Sequence, residues 1–107
     1  MISRTWHGAV PMKHKQGFYE YELITGVEET KNTKGNLSTF LKVVDQGDYC
    51  HFFLCSIWED IGAMKSFAGE NFEIAVTYPE DEKYELISDP LVIVQEVVSD
   101  KNPFDII

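Results

Sequence analysis

Ser56-Ile57-Trp58-Glu59-Asp60-Ile61-Gly62-Ala63-Met64-Lys65-Ser66-Phe67-Ala68-Gly69 is the stretch that decides the fold. An apolar strand ends on a tryptophan, two acidic residues follow, and a short amphipathic helix over about 60–67 closes toward Gly69. One strand–helix unit precedes this stretch and another strand follows it. That order is a split β-α-β arrangement.

Working outward, residues 2–10 alternate and carry Ile, Thr, Trp and Val, which predicts strand 1, ended by Pro11. From Met12 to about Glu29 the period turns helical, with Phe18, Tyr21, Leu23, Ile24 and Val27 as its apolar positions. Turn residues at 33–36 lead into strand 2 over 37–44, and Asp45-Gln46-Gly47-Asp48 reads as a hairpin connection to strand 3, Tyr49 to Trp58. Beyond the second helix, 71–78 reads as a further short helix ending before Pro79. A polar turn at 79–82, a short edge segment at 84–87 and a last strand from Pro90 to Val98 complete the domain, 1–98. Residues 99–107 form a C-terminal tail.

The expected fold class is α+β, a ferredoxin-like β-α-β-β-α-β with an antiparallel sheet. Helices in such a fold cover one sheet face. Strand 3 is apolar on both faces, with Phe52, Leu54 and Trp58 on one and Phe53, Cys55 and Ile57 on the other. The second face therefore needs a cover: the sheet of another copy is the expected one, giving a homodimer, and the C-terminal tail, short for the task, is the alternative.

The chain has 107 residues, 44% hydrophobic and 25% charged, which fits one globular domain. Its net charge is −9, from 9 basic and 18 acidic residues, so neither nucleic acid nor an anionic membrane surface is an expected partner. The acidic runs Glu28-Glu29 and Glu80-Asp81-Glu82 read as solvated surface. Cys50 and Cys55 share a strand but point to opposite faces, about 16 Å apart at ~3.3 Å per residue, too far for a disulfide. They read as reduced thiols of a cytoplasmic protein. The start of the chain lacks a signal-peptide pattern, and no apolar run is long enough to cross a membrane.

Arg4-Thr5-Trp6-His7-Gly8, Val10-Pro11, Thr25-Gly26-Val27, Gly35-Asn36, His51-Phe52, Ser56-Ile57-Trp58, Phe67-Ala68-Gly69 and 75–81 (AVTYPED) together carry a resemblance. The chain resembles the antibiotic-biosynthesis-monooxygenase-like (ABM) superfamily over residues 2–98, in an uncharacterised bacterial subgroup. The resemblance implies a homodimeric α+β barrel with a pocket between sheet and helices, often lined by the strand 3 tryptophan. It further implies a cofactor-independent monooxygenase-like enzyme acting on a small aromatic or enolisable compound. A non-catalytic small-molecule-binding or stress-related dimer is the alternative, and an isomerase or lyase on the same pocket is a third.

By that resemblance Trp58 is a substrate-binding candidate with Trp6, Phe52 and Phe67. Core packing is the competing reading for each tryptophan. Arg4 would stabilise an anion, and His7 or Tyr78 would handle protons, so these three are the catalytic candidates. If Trp6 faces the helices, His7 and His51 face the other way and sit close together, which favours a structural role for them. No metal site is expected, since no CxxC or HExxH is present. No cofactor is expected either. Haem-degrading members ligate iron through a histidine that Ser66-Phe67-Ala68-Gly69 lacks. Many subgroup members carry His-Tyr where this chain has Val94-Gln95.

Overall fold

The computed structural model describes residues 1–97. Alternation and β-branching produce β1 (Ile2–Pro11), which runs one residue further than its pattern suggests, into Pro11. A helical rod follows: a short 3-10 turn (Met12–His14), α1 (Lys15–Glu22), a π turn (Leu23–Val27) and α2 (Glu28–Lys31). The chain returns in β2 (Asn36–Gln46), turns at Gly47-Asp48 and runs back as β3 (Tyr49–Trp58). Asp60 caps α3 (Ile61–Ala68), its carboxylate accepting the Ala63 N–H at 2.8 Å.

The strands form one antiparallel sheet in the order β2-β3-β1, and the far edge of β1 is shared by β4 (Ile87–Ser88) and β5 (Ile93–Glu96). This is the α+β, ferredoxin-like fold expected from the sequence. The last strand differs from its expected span. Pro90, Leu91 and Val92 leave the sheet after Asp89, whose N–H still donates to His7 O at 3.0 Å, so one strand position is filled by two pieces. Pro90 has no N–H for a ladder. Val92 and Pro90 pair instead with the preceding loop, Val92 N–H donating to Glu73 O at 2.8 Å and Ala75 N–H to Pro90 O at 3.0 Å. Val98 and the tail lie outside the described residues.

The helix expected at 71–78 is absent. The segment is irregular, because its backbone groups are taken by other elements: Glu73 and Ala75 by the 90–92 loop, and the Phe72 and Ile74 carbonyls by Arg4. The expected edge segment at 84–87 is likewise a 3-10 turn (Asp81–Tyr84) and a left-handed Glu85, with only Ile87 entering the sheet.

The core lies between the helical rod and one sheet face. Trp6, Val10, Phe18, Cys50, Phe52, Leu54 and Val92 pack there, with Phe18 edge-on to Phe52 at 4.9 Å. Tyr84 closes the end of this cluster against Phe18 at 5.6 Å. Cys50 and Cys55 are both free and buried.

Candidate functional site

Strand alternation puts Arg4, Trp6 and Gly8 of β1 on the helix-facing side, opposite Ser56, Leu54 and Phe52 of β3. Gly8 is needed there because the Trp6 indole folds back over β1. A Cβ on Gly8 would collide with the indole ring. The indole N–H donates to Ser88 Oγ at 2.8 Å.

Between this surface, the end of α1 and the irregular segment 69–86 lies a cavity of about 20 Å³. Arg4, Trp6, Glu22, Leu54, Phe67, Val76, Tyr78, Asp81 and Leu86 line it. A space of that size holds a water or so.

Its polar content is unusual for an interior. Arg4 is only 4% exposed. Its Nε donates to Phe72 O at 3.1 Å and its Nη2 to Ile74 O at 3.0 Å, which fastens the 69–86 cover to β1. Nη1 has no hydrogen-bond partner among the described residues. Burial lowers the Arg4 pKa, but guanidinium starts so high that it stays cationic. The Phe67 ring lies 5.8 Å from its guanidinium carbon, within cation–π range.

Tyr78 Oη is buried and without a hydrogen-bond partner among the described residues. Burial, then the neighbouring carboxylate of Glu29, pushes its pKa far up, so Tyr78 remains a protonated donor. Asp81 turns the Tyr78 backbone inward by accepting its N–H at 2.8 Å, and burial raises the Asp81 pKa. Glu22 is also only 4% exposed, and burial, followed by the field of Asp81, raises its pKa to about 7.

The cavity thus brings together Arg4, Tyr78, Trp6 and Phe67 of the residues singled out from the sequence. Trp58 and Phe52 sit one layer behind. Trp58 is fully buried, stacks on Phe67 at 6.0 Å and donates its N–H to Ser56 Oγ at 2.9 Å. Phe52 is core against Phe18. His7 lies on the opposite sheet face. Its Nδ1 meets Asp89 Oδ2 at 3.0 Å and its Nε2 meets His51 Nδ1 at 2.8 Å. No cluster of three metal-ligating side chains occurs among the described residues.

Two cavity residues escape the sequence reading. Asp81 hides in an acidic run that reads as solvated surface. Glu22 sits among the charged residues of an amphipathic helix, and its signal is a four-residue step. Phe18, Glu22, Gly26 and Thr30 are the buried positions of the rod, whereas Ile24, taken from the sequence as apolar-face, is exposed.

No protein-family model and no curated protein matches the sequence. Solved structures match along nearly the whole chain. A candidate antibiotic biosynthesis monooxygenase from Deinococcus radiodurans superposes with a TM-score of 0.64 at 17% identity, covering 95% of this chain and 97% of that one. A mutant of MhuD with two manganese protoporphyrin IX molecules bound per active site gives 0.60 at 17% identity, covering 95% and 99%. Rv0793 from Mycobacterium tuberculosis gives 0.56 at 16% identity, covering 95% and 100%. Strand order, the helix-covered face and these superpositions agree that the chain has the fold of the antibiotic-biosynthesis-monooxygenase-like structures.

Proposed function

We propose that the protein is a cofactor-independent, monooxygenase-like enzyme acting on a small aromatic or enolisable compound. The observation that carries this is the Tyr78 hydroxyl, buried and unpartnered beside the spare Nη1 of buried Arg4 in one cavity. A buried donor without an acceptor costs about 1–3 kcal/mol; a water fits the resting cavity, and a ligand oxygen that displaces it would take over as acceptor. Two buried donors lining one small cavity are suited to an oxygen that gains negative charge during reaction. Trp6 and Phe67 supply aromatic walls for a ring.

Such chemistry balances without a cofactor. At an activated methylene, CH2 and O2 give C=O and H2O, with the substrate's own electrons reducing both oxygen atoms. The substrate must first lose a proton so that the resulting anion can hand an electron to oxygen. Arg4 and Tyr78 would hold that anion. Admission of a ring requires the 69–86 cover to lift, and Arg4 is its fastening.

The porphyrin of the MhuD structure does not fit this chain. None of His7, His14 and His51 lines the cavity, which therefore offers no imidazole to an iron.

That same small space favours a second reading, a small-molecule-binding protein without turnover. Oxygen uptake across a panel of phenols and anthrone-like compounds separates the two. Substrate-dependent uptake that Arg4→Met lowers at least tenfold is expected. Background uptake throughout, with ligands bound, would leave the binding reading standing. Turnover in the absence of oxygen would point to an isomerase or lyase.

The proposed assembly is a homodimer paired through the open sheet face. Phe40, Val44, Ile87 and Ile93 are exposed there, Ile87 at 58% and Ile93 at 62%. The two reduced thiols support a cytoplasmic setting. No helix among the described residues is long and apolar enough to cross a membrane.

A further inference from the structure

The cavity holds one ionisable group that the reading above leaves without a task. Glu22 ends α1, and its carboxyl has neither a hydrogen bond nor an ion pair among the described residues. A carboxylate in that state is expensive to bury. The chain has nevertheless made room for it. The helix widens into the π turn directly after Glu22, and Gly26 within that turn lacks the Cβ that would collide with Glu22 Oε1. The turn is held open by hydroxyls, Thr25 Oγ1 donating to Tyr21 O and Thr30 Oγ1 to Gly26 O. Single π turns within helices occur frequently at functional sites.

We propose that Glu22 is the proton acceptor of this cavity, and that the ligand is a neutral weak oxygen acid, a phenol or an enol, held as its oxyanion by Arg4 and Tyr78. The inference rests on reading the cavity as the substrate site. The ligand's O–H bond breaks, its electron pair stays on the oxygen, and the proton completes the Glu22 carboxyl. The charge inside the cavity is unchanged, so no further counter-ion is needed. Burial places Glu22 near neutrality, where an acceptor is most useful, while Tyr78 keeps its proton and only donates. Permanent anions suit the cavity poorly. Arg4 is the one cation lining it, against two carboxyls, Glu22 and Asp81, with the Glu29 carboxylate of α2 acting on Tyr78 from beside it. A neutral acid that discharges Glu22 as it ionises avoids that repulsion.

4-Nitrophenol is the probe, because its phenolate is coloured and reports binding and ionisation together. Its affinity is measured across neutral pH for wild type, Glu22→Gln and Gly26→Ala, with benzoate as the permanently ionised comparison. In wild type the bound probe is expected as phenolate. Above neutrality, where free probe and Glu22 are both ionised, its affinity falls about tenfold per pH unit, since each binding event brings one proton to Glu22. Glu22→Gln binds the probe without that fall. Gly26→Ala, which displaces the carboxyl, flattens the profile in the same way. Below neutrality, where Glu22 is already protonated, benzoate affinity is flat with pH, whereas the probe, which must shed its own proton, gains affinity toward neutrality. Equal pH profiles in wild type and Glu22→Gln would overturn the role of Glu22 and leave the cavity reading in place. A probe profile as flat as that of benzoate below neutrality would mean a bound neutral phenol and would overturn the ligand class. No binding of the probe by wild type at any pH would overturn both. Proton-coupled binding without oxygen uptake on any substrate would overturn the oxygenase reading alone.

Discussion

The two faces of the sheet are made from alternate residues of the same strands, yet they invert the usual relation of charge to burial. The helix-covered face hides Arg4, Glu22 and Ser56 among Trp6, Leu54 and Trp58. The uncovered face leaves Phe40, Val44, Ile87 and Ile93 in contact with water around the His7–His51 pair. Buried charge is tolerated where something compensates it, and exposed apolar area where something covers it. On the function and assembly proposed, one face is short of a small polar ligand and the other of an apolar partner. Each deficit sits where chemistry or assembly would remove it.

The sharpest way to break this comparison is to remove one large ring from each face. Trp58→Ala deletes a fully buried indole and should cost about 3–5 kcal/mol in urea unfolding. Phe40→Ala, on the open face, should cost less than about 1 kcal/mol in dilute protein, where the ring is already wet. Equal losses would mean that the open face is covered within one chain.

Next in size is the pH dependence that Glu22 imposes. Folded Glu22 holds its proton to about pH 7, against an ordinary value of 4.5. Between those values the native state binds more protons than the unfolded chain, so stability falls as pH rises. The Glu22 contribution is full below the lower value and gone once pH passes the upper one. Its integral is roughly 3 kcal/mol. Wild type minus Glu22→Gln, measured by denaturation across this window, should show that decline. A difference that stays constant with pH would mean the carboxyl is solvated.

Much of this was legible in the sequence and some was not. Alternation in β1 and β3 assigned Arg4, Trp6, Leu54 and Ser56 to one face and His7 and His51 to the other, because a period of two leaves little freedom. The break in the last strand was not legible. Leu91 and Val92 have strand chemistry, and only the loop at 73–75 drew them out of the ladder. The same competition removed the helix expected at 71–78. Glu22 was missed because a 3.6-residue period puts Ile24 on the apolar face. The π turn has about five residues to its ring, so a step of four stays on one side through it. Phe18, Glu22, Gly26 and Thr30 follow that step.

Charge on the open face tests the second deficit. Val44→Lys places an ammonium on the face through which the proposed dimer pairs, and two-fold symmetry makes each dimer meet the substitution twice. Dimer dissociation, followed by sedimentation, should rise about a hundredfold, with each chain still folded and its nitrophenol affinity unchanged. An unaltered association constant would move the partner surface away from this face.

The smallest effect belongs to His7, and it decides which face does the chemistry. His7 joins Asp89 and His51 in a hydrogen-bonded chain stacked on Phe53, with ring centroids 4.7 Å apart. That chain lies across the sheet from the cavity, with the β1 backbone between them. His7→Gln keeps a donor and an acceptor at the position and removes only half-exposed polar contacts, so it should cost under about 1 kcal/mol. His7 reaches the cavity only indirectly, through Asp89, Ser88 and the Trp6 indole N–H, and hydrogen-bonds to neither Arg4 nor Tyr78, so nitrophenol binding and any oxygen uptake should stay within about twofold of wild type. A loss of turnover as large as that of Arg4→Met would transfer the proton chemistry to the open face. The dimer seam would then hold the reaction, and the Arg4–Tyr78 cavity would be reduced to an internal clasp for the 69–86 cover.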